Sequence, residues 1–287
     1  LAKAARKNGF EEIYVPIENA REAALIEGLR VFGAKNLRQV IDHLDERKKN
    51  NEQDAVVEVK KIIPTEPTSI EYKIREDQIN FEDIQGQASA KRGLEIAAAG
   101  RHNIAMYGPP GTGKTMLAQA FSQILPPLSF DEALETTAIH SIAGTLKDEL
   151  VTNPPFRAPH HSASYVSLIG GGAIPKPGEV TLAHRGVLFL DEFPEFDRRV
   201  IDSLRQPLEE RKVSISRARG SALFPANFIL IAAMNPCPCG NYGIKGKDCL
   251  CSPIQISRYQ RKISGPILDR VDMWTEVSKV EHRALGE

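Results

Sequence analysis

One octapeptide, "GPPGTGKT" from Gly108 to Thr115, constrains this chain more than any other stretch. It lies between an apolar run, Asn103 to Tyr107, and a helix-like run, Met116 to Ala120. The glycines let the backbone curl until several N–H groups converge on phosphate oxygens, while Lys114 supplies a cation and Thr115 a hydroxyl for Mg²⁺. A helix starting at this point adds its positive N-terminal end. A chance glycine-rich turn is the alternative, and the full G-x-x-x-x-G-K-[ST] pattern set between strand and helix argues against it. The expected contacts to nucleotide are therefore Gly108, Pro109, Gly111, Thr112, Gly113, Lys114, Thr115 and Met116.

A phosphate loop needs a second element to hold metal and aim water. "VLFLDE", Val187 to Glu192, reads as a buried strand ending in two carboxylates. Asp191 suits Mg²⁺ together with Thr115, and Glu192 suits polarisation of an attacking water. Alone, such a pair is more often a cap for the next helix. The next apolar run, "FILIAAMN", ends in Asn235, which can bridge water and γ-phosphate or simply form a turn. The runs 103–107, 187–190 and 228–234 are short, bounded by turn residues and separated by helical stretches, so the expected fold is α/β with buried parallel strands.

With 287 residues, two units are expected. Residues 1 to about 47 read as helix, strand (Glu11 to Pro16), helix from an Asn19 cap, strand "RVFGA" and helix from an Asn36 cap. The charged, proline-containing stretch that follows reads as a linker or extended edge segment. The division is thus 1–48, 49–75 and 76–287. Lys plus Arg equals Asp plus Glu at 37 each, so affinity for nucleic acid needs a local basic patch. No apolar run approaches a membrane span, and no secretion leader opens the sequence, which begins like a cut inside a domain. All 4 cysteines fall between Cys237 and Cys251, a local metal site or thiol cluster in a cytoplasmic setting more than a secreted disulfide framework.

"FEDIQGQ" (81–87), "GPPGTGKT", "FRAPHHSASYVSLIGGG" (156–172), "PKPGEVTLAHRGVLFLDEFPEF" (175–196), "LRQPLEE" (204–210), "AAMNPCPCG" (232–240) and "ISGPILDRVDM" (263–273) closely resemble the YifB/ComM family, bacterial magnesium-chelatase-like AAA+ ATPases. The resemblance implies a three-layer AAA+ core, ATP with Mg²⁺, and a homo-hexameric ring acting as a DNA helicase or branch-migration motor without sequence preference. A chelatase-type ATPase that remodels a protein partner is the alternative. By position, Lys114 and Thr115 become Walker A residues, Asp191 and Glu192 the Walker B pair, Asn235 sensor 1 and Arg270 an arginine finger completing a neighbour's site; taken alone, Arg270 reads as a surface salt bridge with Asp269 or Asp272. Ile84 joins the nucleotide contacts. The first unit is similar to the second half of a Lon-protease domain, whose serine and lysine would lie before Leu1; sensor 2 and the lid would follow Glu287.

The resemblance also implies two pore-facing elements, an insertion over about 151–184 with His160, His161 and Lys176, and a hairpin over Val213 to Phe228 with Arg217 and Arg219 at its tip. These are the candidate DNA contacts, although basic tips are also common simply because they are solvated. The two histidines could instead bind metal, without an evident third ligand. "CPCGNYGIKGKDCLC" offers Cys237, Cys239, Cys249 and Cys251 as a closed Zn²⁺ site of structural type, with free thiols as the alternative.

Overall fold

A computed structural model describes residues 1–45, 61–68, 79–146, 150–172, 175–217, 220–244 and 247–279. They divide into two compact units. The first comprises α1 (Ala2–Lys7), β1 (Glu12–Pro16), α2 (Ala20–Ala23), β2 (Arg30–Ala34) and α3 (Leu37–Leu44). Its two strands pair in parallel with Ile13 opposite Val31, and Ala20, Ala24, Leu29 and Val31 form a small core. The Asn36 side chain accepts the Gln39 N–H at 3.0 Å, which starts α3 where the sequence predicts. Within the expected linker, residues 61–68 bond along this unit: Thr65 N–H donates to Val31 O and Thr68 N–H to Ala24 O, at 2.8 and 3.2 Å.

In the second unit α4 (Ala88–Gly100) precedes β3 (Ile104–Tyr107), α5 (Lys114–Ile124) and α6 (Phe130–Ala143). Then come β4 (Phe156–Arg157), α7 (Tyr165–Ile169), a minimal hairpin of β5 (Gly170–Gly171) and β6 (Lys176–Pro177), α8 (Glu179–Leu182) and β7 (Val187–Leu190). Two short helices, α9 (Arg198–Ser203) and α10 (Arg205–Glu210), lead into the antiparallel pair β8 (Lys212–Arg217) and β9 (Gly220–Pro225). The chain closes with β10 (Ile229–Met234), α11 (Pro253–Gln260), α12 (Gly265–Leu268) and β11 (Met273–Glu276).

The central sheet is parallel throughout in the order β11-β3-β10-β7-β4. Every residue of β7 and β10 is buried, as strands covered by helices on both faces must be. Successive side chains alternate between two cores. Ile104, Met106, Val187, Phe189, Ile229 and Ile231 pack with Leu117 and Phe121 of α5, whereas Leu188, Leu190, Leu230 and Ala232 pack with Ile201, Leu204 and Ile267. Asn103, 5% exposed, fastens the strand starts: its Oδ1 accepts the Leu230 N–H and its Nδ2 donates to Arg270 O, both at 2.9 Å.

This is the α/β core that the motif demands. Two of its five strands had no sequence signal: β4 has two residues, taken from the expected insertion, and β11 reads "MWTE" with only Thr275 buried. No described helix is long and apolar enough to cross a membrane.

Candidate active site

A parallel sheet brings all its strand ends to one rim, and the loops after β3, β10, β7 and β4 carry the candidate residues there. After β3 the backbone turns through Gly111 and Gly113 at φ +76° and +88°, where a β-carbon is disfavoured, and Gly113 then caps α5. Gly108 is required for a different reason. A Cβ there would lie 2.1 Å from the Val277 carbonyl oxygen.

The Lys114 ammonium is held in the loop it closes, donating to Gly108 O at 2.8 Å, Pro109 O at 2.7 Å and Asn235 Oδ1 at 3.2 Å. Burial pulls its pKa below the usual lysine range, and the nearby Asp191 carboxylate pushes back. Thr115 Oγ1 donates to Asp191 Oδ2 at 2.8 Å. A hydroxyl and a carboxylate oxygen so placed form the oxygen donor set a hard cation such as Mg²⁺ takes. The other Asp191 oxygen accepts the Glu192 N–H at 2.9 Å. Glu192 itself has φ +50°, a strained value for a non-glycine residue that places its exposed carboxylate at the rim.

Lys114, Thr115, Asp191, Glu192 and Asn235 are therefore brought together. Met116 sits half-exposed in the first turn of α5, and Ile84 is buried in the core beside Leu94 and Leu117. Sequence reasoning overlooked Gln87, whose amide donates to Thr112 O in the phosphate loop at 3.3 Å and to Ser278 O at 2.6 Å. Its place at the end of "FEDIQGQ" was the available signal. Tyr259 of α11 was overlooked too: its hydroxyl accepts the Asn235 N–H, and burial with the Glu195 charge raises its pKa to about 12.

Arg270 does not join this cluster. Its guanidinium donates to Pro266 O and pairs with Glu209 of α10. Arg217 ends β8 opposite Gly220, and Arg219 lies outside the described residues. Lys176 is exposed on β6. His160 is exposed beside the nucleotide rim, and His161 reaches it: its Nδ1 lies 2.9 Å from Glu192 Oε2.

The cysteines form a second cluster, with Cys237, Cys239, Cys249 and Cys251 sulfurs all within 4.8 Å of one another. Cys237 is buried and accepts the Tyr242 N–H at 3.3 Å. N–H groups of Asn241 and Leu250 pull the Cys239 thiol down to about 6, toward the thiolate a metal requires. The donor set fits tetrahedral zinc. This loop abuts the phosphate loop, since a Cβ on Gly240 would come within 2.6 Å of Pro110 Cδ.

The family model for magnesium chelatase, subunit ChlI, matches residues 80–285. The chain is 47% identical over 267 residues to the YifB protein of Salmonella typhimurium, covering 92% of this chain and 49% of that protein. It is 46% identical over 274 residues to the competence protein ComM of Haemophilus influenzae, covering 95% and 52%. The chain belongs to the YifB/ComM family of magnesium-chelatase-like AAA+ proteins. It spans about half the length of these relatives.

Proposed function

We propose that this chain binds ATP with Mg²⁺ and hydrolyses it as the motor unit of a cytoplasmic, ring-forming, DNA-translocating ATPase. The observation that carries this reading is the convergence of Lys114, Thr115, Asp191, Glu192 and Asn235 at one rim of a parallel sheet. Loop N–H groups and Lys114 bind the phosphates. Thr115 and Asp191 would hold Mg²⁺, which neutralises developing phosphate charge when bound. Glu192 orients the attacking water and takes its proton, while Asn235, fixed between Lys114 and Tyr259, fixes the γ-phosphate side.

Arg270 lies outside its own subunit's cluster, as a residue serving a neighbour's site would, so assembly completes the machinery. A homo-hexamer is the state proposed. The β8–β9 hairpin and the insertion over about 151–184 are the elements proposed to meet DNA, and ComM, a competence protein by name, is a relative over almost the whole chain. A structural Zn²⁺ on the four cysteines is part of the same proposal, as is the division of the chain at 48 and 75. The match to a chelatase subunit favours one other reading, an ATPase that remodels a protein partner.

ATP turnover of the full-length protein, wild type and Glu192→Gln, with and without single-stranded and forked DNA, separates the two. Stimulation by DNA that disappears in the variant supports the motor; turnover indifferent to DNA overturns it and leaves the protein-partner reading.

A further inference from the structure

Asn103 stands at the rim of the sheet opposite the nucleotide residues, buried just before β3, with both backbone and both side-chain polar atoms engaged. Its N–H donates to Asp272 Oδ2 at 2.7 Å, and its carbonyl accepts the N–H groups of Asp272 and Met273 at 3.0 and 3.1 Å. The side chain reaches further: Oδ1 accepts the Leu230 N–H of β10, and Nδ2 donates to Arg270 O across 167 residues of sequence. This place needs an acceptor and a donor on one short side chain, which an amide supplies and a carboxylate does not.

The strands gathered at Asn103, β3, β10 and β11, all run to the candidate active site. β3 leads into the phosphate loop and β10 into Asn235, while β11 leads to Val277, whose N–H donates to Tyr107 O at 2.8 Å and whose carbonyl packs against Gly108. From Asn103 to Gly108 the strand extends about 16 Å. Asn103 therefore lies out of reach of a nucleotide bound in its own chain.

What it does reach is the root of Arg270, and the two ends of that arginine are held differently. The backbone is fixed by the Asn103 amide at its carbonyl, by its N–H bond to Ile267 O at 3.1 Å, and by the buried side chains of Ile267 and Val271. The guanidinium meets the exposed Glu209 carboxylate and the Pro266 carbonyl, and its buried Nε has no partner among the described residues. A buried donor left unpaired is costly, so the tip is poised to leave this pose for a better acceptor, which a phosphate would be. The root is anchored and the tip is free to turn.

We propose that Asn103 is a positioning residue for hydrolysis in the neighbouring subunit, tying the backbone of Arg270 to the strands that carry its own phosphate loop and Asn235; this role rests on the reading of Arg270 as a group that completes a neighbour's site. Misplacing such a group by about 1 Å lowers the rate by up to roughly 100-fold, and removing an arginine of this kind lowers it by roughly 1000-fold or more.

The test uses full-length protein and reads turnover and ATP affinity. Asn103→Ser, too short to reach Arg270 O, should lower kcat roughly 10- to 100-fold with ATP affinity unchanged, and Arg270→Ala should lower it further. The double variant should be no slower than Arg270→Ala, since one residue acts through the other. Each single variant keeps a sound nucleotide pocket, so each should regain turnover when mixed with Lys114→Ala, whose pocket is disabled and whose Arg270 is intact. In a randomly mixed ring about a quarter of the interfaces then have both halves sound. A substitution that only loosened its own subunit would gain nothing from such a neighbour. Wild-type turnover in Asn103→Ser, weakened ATP binding, or a loss that Lys114→Ala fails to rescue while rescuing Arg270→Ala overturns the role of Asn103. Arg270→Ala as active as wild type, or not rescued, sinks instead the reading of Arg270, so the two failures are told apart. If Asn103→Ser does not fold, Asp272→Ala, which removes the exposed anchor of the Asn103 N–H, decides through the same mixtures and the same outcomes.

Discussion

The phosphate end of the sheet and the cysteine loop are both tight clusters of convergent side chains, assembled in opposite ways. Lys114, Asp191 and Asn235 follow three different strands, Lys114 at the start of α5 and the other two at strand ends, and the Lys114–Asn235 bond closes a sequence separation of 121 residues. Their geometry exists only once β3, β10 and β7 have found their registers, so it is secured by the two hydrophobic cores that flank the sheet. The four cysteines come from one loop with little apolar packing of its own, Leu250 being 86% exposed and Tyr242 half-exposed. Such a loop lacks the buried area to fix itself and depends on its ligands for order. A site whose donors are distant in sequence is held by the fold; one whose donors are neighbours must hold itself.

The sharpest way to break the comparison is at Lys114. Lys114→Ala removes a buried, hydrogen-bonded charge worth roughly 2 kcal/mol or more, so ATP should bind at least about 30-fold more weakly. Calorimetric titration checks this, and thermal stability should hardly fall, since the cores are untouched. The converse experiment is Cys237→Ser. Elemental analysis should find one zinc per wild-type chain and almost none in the variant. The melting temperature should drop by about 5 °C, equivalent to roughly 2 kcal/mol at this size. Full retention of stability, or no zinc in the wild type, would mean that the loop orders itself.

A subtler variant asks how independent the clusters are. Gly240→Ala keeps all four thiols but places a methyl 2.6 Å from Pro110 Cδ at φ +77°, so the cysteine loop must press on the phosphate loop or shift. ATP affinity should fall a few-fold, the size of roughly 1 kcal/mol of strain, with zinc content preserved. Mildest is acid. His140, buried on α6 with Nε2 at 3.1 Å from Leu182 O, has its pKa lowered chiefly by burial. The unfolded chain therefore binds this proton more readily, and His140 contributes stability that is present above about pH 6.5 and lost as pH falls below it, by at most about 1.4 kcal/mol per unit. Melting followed from pH 7.5 to 5.5 should show the decline in wild type and a flatter profile in His140→Gln, with zinc retention and ATP binding tracked side by side.

Much of the core was legible because its signals are local. A glycine-rich loop needs glycines where φ is positive, and buried parallel strands are unbroken apolar runs, as β7 and β10 are. The remainder was illegible for equally physical reasons. β11 is an edge strand with exposed Trp274 and Glu276, so no run marks it, and β4 is too short to carry a period. The role of Gln87 depends on Thr112 and Ser278 meeting it in space. His161 read as a pore or metal residue because nothing local shows that β4 lies beside β7. Arg270 is the reverse case, since the sequence pattern suggests a partner's active site while within one chain its guanidinium meets Glu209 and the Pro266 carbonyl.

The strand order also has a consequence for how the polypeptide is made. β3 is made before either of its two neighbours, β10 and β11, which lie more than a hundred residues downstream. At ribosomal rates of about 5–20 residues per second, Ile104–Tyr107 waits roughly ten seconds with both its edges open. The nascent chain thus carries this apolar strand of its future sheet unpaired while that stretch is made, a window in which a chaperone or a newly made neighbour can reach it before its own strands do.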